Sequence, residues 1–237
     1  MVGNMKIILN NVSFSYNKHS VLKNCDDEFI SGKINYLLGY NGAGKSTLFD
    51  LISGIQKVDT GKITGNTQTK AILYQTQNPV FFGSLKGRDL QEFIFGVSDG
   101  HKEITIAELS PRFKSLYHDL MPRKLGDMSA GEKRWLLIFL ESYLNKKIFL
   151  LDEPTSGVDP VSTQQINRQL LQMAQDPQKL LIVTTHDLHH IVDVNCYIHL
   201  LNNKKIKRFD SYAAFVKPSA TLNPEEAFAL WTGNDPI

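Results

Sequence analysis

The run Gly39-Tyr40-Asn41-Gly42-Ala43-Gly44-Lys45-Ser46-Thr47 decides the fold of this 237-residue chain. It fits the pattern G-x-x-x-x-G-K-[ST], in which backbone N–H groups wrap a polyphosphate. Ahead of it, Ile34-Asn35-Tyr36-Leu37-Leu38 is an apolar run of strand length, and behind it Thr47 to Ile52 is apolar at helical spacing. A strand must give way to a helix within a few residues, and glycines permit so tight a turn. Such a turn aims its free N–H groups inward at the positive end of the helix. Gly39, Asn41, Gly42, Ala43, Gly44 and Thr47 then form the cradle. Lys45 reaches the β- and γ-phosphates, and Ser46 offers its hydroxyl to Mg2+.

Phosphoryl transfer to water also needs a held metal, a positioned water and something to stabilise charge on the γ-phosphate. Leu150-Leu151-Asp152-Glu153-Pro154-Thr155 puts two carboxylates at the end of an apolar run. In a parallel sheet, ligands bind beyond the carboxyl ends of the strands, where the glycine-rich turn also lies. Adjacent acids on a buried strand without a cation would be costly. Asp152 is therefore read as a holder of Mg2+ through water, and Glu153 as the base or orienter of the attacking water. Thr184-Thr185-His186-Asp187 ends the next apolar run in the same fashion, which sets His186 at the γ-phosphate. His189 and His190 have no such placement and are read as surface or helix residues.

Outward from these runs, strands alternate with helices. Lys6 to Tyr16 alternates at strand period, and Tyr16, at its end, suits either sheet packing or stacking on a base. Thr60–Gly65 reads as a turn plus a short strand and Ala71–Tyr74 as another strand, and Pro79 stops any further ladder. From about Ser84 to Arg123 the period turns helical, with Leu90, Phe93 and Ile94 on one apolar face and Phe113, Leu116, Tyr117 and Leu120 on another. A helix follows over Ala130 to Asn145, a strand over Lys147 to Leu151, a helix over Val161 to Ala174 and a strand over Leu180 to Thr184. Tyr197–Leu201 and Lys205–Phe209 flank Asn202-Asn203 as a hairpin, with Lys204, Lys205, Lys207 and Arg208 guarding its edge. The alternation predicts an α/β fold with a mostly parallel sheet, interrupted by a helical insert.

A net charge of +2 gives no footprint for nucleic acid. Cys25 and Cys196 fit neither a metal-ligand spacing nor a disulfide framework and are read as reduced packing residues. Apolar runs fall far short of the ~20 residues a spanning helix needs, and the start of the chain has no signal-type stretch. A membrane role would come through a partner.

Taken together these residues resemble the ATP-binding subunit of an ATP-binding cassette (ABC) transporter, over nearly the full chain. Asp127-Met128-Ser129-Ala130-Gly131-Glu132-Lys133-Arg134 stands where that family carries its signature, usually LSGGQ. Ser156-Gly157-Val158-Asp159 matches its loop at the dimer seam, and Gln77, rather than Gln75, its Mg2+-sensing glutamine. Tyr16 matches the aromatic that stacks on adenine. The resemblance implies a single P-loop NTPase domain with an N-terminal antiparallel β subdomain. Residues 1–77 and 130–237 would form the core, and 78–129 an inserted helical subdomain that ends at the signature.

The family's activity would be ATP hydrolysis with Mg2+, held by Ser46, Gln77 and Asp152, coupled to transport through a separate transmembrane permease. Ser129, Ala130, Gly131 and Glu132 would cap the ATP of a second ATPase subunit in a head-to-tail pair, homomeric or heteromeric. Ala130 replaces a glycine of the signature and Glu132 its glutamine, with Lys133 or Arg134 available to balance the new charge. The permease would dock on the helical insert and near Gln77, where Phe81, Phe82 and Phe93 are candidates. The resemblance implies a cytoplasmic protein, peripheral on the membrane, with no nucleic-acid partner. Asn223 to Gly233 resembles the ending of drug- or lipid-exporting members and inclines the reading to export. A soluble member of the superfamily, such as an iron–sulfur-assembly component, is the alternative.

Overall fold

The computed structural model describes residues 4–65, 69–191 and 195–233. Its strands are β1 (Lys6–Tyr16), β2 (His19–Ile30), β3 (Ile34–Leu38), β4 (Thr60–Gly65), β5 (Ile72–Gln75), β6 (Ile148–Leu151), β7 (Leu180–Thr184), β8 (Cys196–Asn202) and β9 (Lys205–Phe209). Its helices are α1 (Lys45–Ser53), α2 (Gly87–Gly96), α3 (Pro111–Leu120), α4 (Ala130–Ser142), α5 (Pro160–Ala174), α6 (Tyr212–Val216) and α7 (Pro224–Thr232).

Two sheets form. One is antiparallel, in the order β2-β1-β4, and the other runs β5-β6-β7-β3-β8-β9. In the second, β5 through β8 are parallel and β9 alone runs against β8. Every residue of β3, β6 and β7 is buried, as strands covered on both faces require. Side chains alternate across the sheet. Ile34, Tyr36 and Leu38 join the core under α4 and α5, while Leu37 joins Leu48 and Phe49 of α1 and the apolar side of the antiparallel sheet.

A polar link crosses this second core. His199 Nδ1 lies 2.7 Å from Asp27 Oδ2, and His199 Nε2 lies 3.2 Å from Asn35 Oδ1. Asn35 in turn donates to the carbonyls of Ile30 and Leu181 at 2.9 and 3.0 Å. Strands of both sheets are thereby tied through groups with almost no exposure.

Between β5 and α4, α2 and α3 pack on α4 through Leu90, Ile94, Tyr117 and Leu120. Phe113, Trp135 and Phe139 stack, with centroids 5.6 and 5.1 Å apart. Phe93, expected on the buried face of α2, is 63% exposed. Leu90 and Ile94, four apart, are the residues that α4 covers, and Phe93 lies at the margin of that face with nothing packed over it among the core residues. Helix α4 ends at Ser142 rather than Asn145. Residues 143–145 leave it to pair with 100–102, through Asn145 N to Gly100 O at 3.0 Å and Lys102 N to Tyr143 O at 2.7 Å.

The hairpin turn falls on Asn203-Lys204, one residue beyond the expected Asn202-Asn203. Both have positive φ, 47° and 65°, as a two-residue turn that matches strand twist demands. On the edge strand β9, Lys205 and Lys207 are exposed. Lys207 Nζ lies over the Trp231 ring at 3.6 Å, and Arg208 donates to Glu28 O at 3.1 Å. Both cysteines are free and buried, and burial pushes the Cys196 thiol up to about 12. His189 meets Glu225 at 3.2 Å on the surface, while the His190 side chain lies outside those described. Among the described residues no helix is long and apolar enough to cross a membrane.

Candidate functional site

The order β6-β7-β3 lines up three carboxyl ends in a row, and the chemistry-bearing residues leave from them. After β3 the chain turns through Gly44, which has φ 108° and heads α1. A Cβ there would stand 2.5 Å from Val21 Cγ1, so glycine is needed for space as well as for backbone conformation. Lys45 is buried, and its Nζ donates to the carbonyls of Gly39 at 2.7 Å and Tyr40 at 3.2 Å. Burial lowers the Lys45 pKa, while the carboxylates of Glu153 and Asp152 pull the other way. Asn41 and Gly42 are exposed at the loop tip, and Ala43, Gly44 and Thr47 are half-buried.

The carboxylates are wired to this loop. Ser46 Oγ donates to Asp152 Oδ2 at 2.8 Å. Thr184 Oγ1, fully buried at the end of β7, donates to Asp152 Oδ1 at 2.6 Å and accepts from Glu153 N at 2.8 Å. Glu153 has φ 49°, a left-handed backbone that costs a non-glycine residue roughly 1 kcal/mol or more. Its two oxygens are each engaged, Oε2 by Gln77 Nε2 at 2.6 Å and Oε1 by His186 Nε2. Each oxygen keeps a further lone pair with which to accept a proton from water. His186 remains 41% exposed, so it can turn toward a ligand.

Ser46, Asp152, Glu153, Gln77 and His186 thus stand in one network, continuous through Thr184, and Lys45 lies close enough to feel the charge of Asp152 and Glu153. The Ser46 hydroxyl beside one carboxylate is a hard-oxygen pair that fits Mg2+, which takes one or two protein ligands and fills its shell with water and phosphate. No cluster of three His, Cys, Asp or Glu gathers as a self-sufficient cation cage among the described residues. Gln77 turns its amide nitrogen to Glu153, so its oxygen is the atom left for a metal. Gln75 is 3% exposed and faces inward instead. Tyr16, at the end of β1, is 42% exposed and rests edge-on against Phe14 at 4.8 Å.

The signature residues lie on another part of the surface, at the head of α4. Ser129 caps the helix by accepting from Glu132 N at 3.1 Å, and Glu132 Oε2 accepts from Ser129 N at 2.7 Å, a reciprocal capping box. Ser129 and Ala130 are exposed. Gly131 is buried, and a Cβ on it would stand 2.8 Å from Asp159 Oδ2. Asp159 itself caps α5, accepting from Val161 N and Ser162 N.

The Glu132 charge is balanced by Arg123, at 2.9 and 3.2 Å, and not by Lys133 or Arg134. Successive residues on a helix diverge around its axis, so positions 133 and 134 cannot turn back to 132. Burial would raise the Glu132 pKa, but hydrogen bonds from Arg123 and Ser129 outweigh it and hold the carboxyl below its usual range. Arg134 instead donates to Gln77 O at 2.5 Å and fixes the start of that loop. Thr184 and Arg123 escape a reading by motif, and the sequence offers Arg134 only as a partner for Glu132. Thr184 alone left a signal, as a hydroxyl closing an apolar strand beside the acids. Of the aromatics expected at a docking surface, Phe81 packs against the core, while Phe82 and Phe93 are 77% and 63% exposed.

Comparison with known proteins shows the family and the fold. A family model described as "ABC transporter" matches residues 22–156. The zinc import ATP-binding protein ZnuC of Buchnera aphidicola is 29% identical over 196 residues, covering 83% of this chain and 80% of that protein. The energy-coupling factor transporter ATP-binding protein EcfA1 of Thermotoga maritima is 31% identical over 210 residues, covering 84% and 79%. Among solved structures, an ATP-binding cassette of an ABC transporter superposes with a TM-score of 0.73 at 18% identity, covering 92% of this chain and 97% of that one.

Proposed function

The chain belongs to the ABC transporter family as an ATP-binding subunit and ATPase, and from that premise we propose how its residues divide the work. The phosphate loop from Gly39 to Thr47 holds the triphosphate, with Lys45 exchanging its two carbonyl acceptors for β- and γ-oxygens. Ser46 and Asp152, joined by Gln77, would hold Mg2+, which would supply charge neutralisation for phosphoryl transfer. Glu153 accepts the proton of the attacking water. His186 moves from Glu153 to the γ-phosphate, and Thr184 keeps Asp152 and the Glu153 backbone in register. Tyr16 stacks on the base. Ser129, Ala130, Gly131, Glu132 and Asp159 complete the site of a second subunit. Residues 78–129 act as an inserted helical subdomain on a core of 1–77 and 130–237.

The observation that carries this reading is the unbroken hydrogen-bond path from Ser46 through Asp152 and Thr184 to Glu153, then to Gln77 and His186. A soluble assembly factor would instead work with a soluble scaffold partner. The relatives are named as subunits of transporters, which favours a transmembrane permease and a place on the cytoplasmic face. Exposed Phe82 and Phe93 suit that docking. ZnuC is named for import, so the relatives give the export inclination of the tail no support. The tail's aromatics are also used internally, Trp231 Nε1 donating to Phe215 O at 2.8 Å.

Two variants test the assignment. Lys45→Ala should lose ATP binding by calorimetry, with turnover reduced at least a hundredfold. Glu153→Gln should bind ATP like the parent and lose turnover by ~10²–10⁴-fold, the range of a positioned general base. Parent-level turnover in either variant would reject the role of that residue.

A further inference from the structure

Tyr40 is the second residue of the phosphate loop, at a position where the pattern sets no residue type. Its ring meets Phe228 edge-on with centroids 4.9 Å apart, and its hydroxyl lies 2.9 Å from Thr232 Oγ1. The single Thr232 proton is directed at the carbonyls of Phe228 and Ala229, at 2.8 and 3.1 Å. Tyr40 is therefore the donor. Phe228 and Thr232 lie four apart on α7, on one face and one turn from each other.

Helix α7 is a firm support. Asn223 caps two of its N–H groups, Pro224 opens it, Glu225 and Glu226 sit in its first turn, and Gly233 closes it at φ 76°. Ala227 is fully buried, and Glu226 accepts from Ser219 Oγ at 2.6 Å. At its other end, Tyr40 offers the carbonyl that accepts from Ala43 N at 3.1 Å and from Lys45 Nζ at 3.2 Å. One residue is thus gripped by α7 at its side chain and closes the loop's turn with its backbone.

We propose that α7 is a positioning element for the phosphate loop, with Phe228 and Thr232 holding Tyr40 so that the turn and Lys45 are set for a triphosphate. This rests on the phosphate-loop reading above. Without the clamp, the loop's backbone freedom must be lost on binding, and that ordering cost falls on affinity. The chemical step, carried by Glu153, is not touched.

The test uses the full chain, with Mg·ATP titrated by calorimetry, steady-state turnover, and thermal melting as the check on folding. Phe228→Ala should raise Kd and KM for ATP three- to tenfold with kcat within twofold, and Phe228→Tyr, which keeps the ring, should restore both. Thr232→Val should move Kd the same way by about twofold. In a Tyr40→Ala background, Phe228→Ala should add nothing. Should Phe228→Ala fail to fold, Thr232→Val, which removes one hydroxyl, decides. Parent-level Kd and KM in the α7 variants, a fall in kcat alone, or additive effects of Tyr40→Ala and Phe228→Ala overturn the proposal. Lys45→Ala is the reference. If it abolishes binding while Phe228→Ala changes nothing, only the role of α7 falls. If the parent does not bind ATP, the phosphate-loop reading fails first and takes this inference with it.

Discussion

Arg123 shows how a single residue can rescue a departure from a motif. The signature's usual glutamine is neutral, and Glu132 brings a charge to the head of α4. Arg123 answers it from nine residues upstream, and the same guanidinium also donates to Asp119 Oδ2 and to Asp127 O at 2.9 and 2.8 Å. A half-exposed pair of this kind contributes about 1 kcal/mol, more than most surface pairs because the fork engages several acceptors. Arg123→Ala should lower stability by roughly that amount in urea denaturation, and Glu132→Gln in the Arg123→Ala background should recover part of it. Strictly additive losses would mean that the pair is decorative. Both the acid and its neutralising partner are plain in the sequence as residues, but their meeting depends on a turn that no spacing rule encodes.

At the scale of elements, the same helix that starts with the signature holds a second buried charge problem. Glu141 Oε2 and one terminal nitrogen of Arg134 are shut off from solvent without hydrogen-bond partners among the described residues. Burial pushes the Glu141 carboxyl from 4.5 up to about 8, with Arg134 pulling it back only in part. Between those values the folded chain holds a proton that the unfolded chain has released, so stability is full at acid pH and falls as pH rises through about 8. A tenfold change in proton affinity is worth about 1.4 kcal/mol, so the effect amounts to a few kcal/mol. Glu141→Gln should flatten the dependence of urea midpoint on pH and exceed the parent's stability above pH ~8. A variant that tracks the parent at every pH would rule out Glu141 as the group. The strands were far more legible than this. Unbroken apolar runs at Ile34–Leu38, Ile148–Leu151 and Leu180–Thr184 match strands buried on both faces. Phe93 and the last turn of α4 misread because amphipathic period gives a face, not the neighbour that covers it.

For the whole molecule, the head-to-tail pair proposed above would make the phosphate loop and the signature each half of a binding surface. Glu153→Gln with Mg·ATP should double the mass seen by light scattering, and EDTA should return it to the single-chain value. A single-chain mass throughout would remove the homomeric head-to-tail pair. The loop and the acids could be read from sequence because phosphate chemistry demands fixed residue types at fixed intervals, whereas Gln77 is reached only through the family resemblance. The grip of α7 on Tyr40 could not, since it joins residues almost two hundred positions apart. The buried His199 bridge between Asp27 and Asn35 bears on how such a machine can move. Prying the two sheets apart would break the hydrogen bonds that His199 makes to Asp27 and Asn35 and open the core packed around them. The two sheets would therefore act as one anvil, and under the transport reading proposed above a stroke toward a membrane partner would come from the helices hung from Arg134 and Gln77.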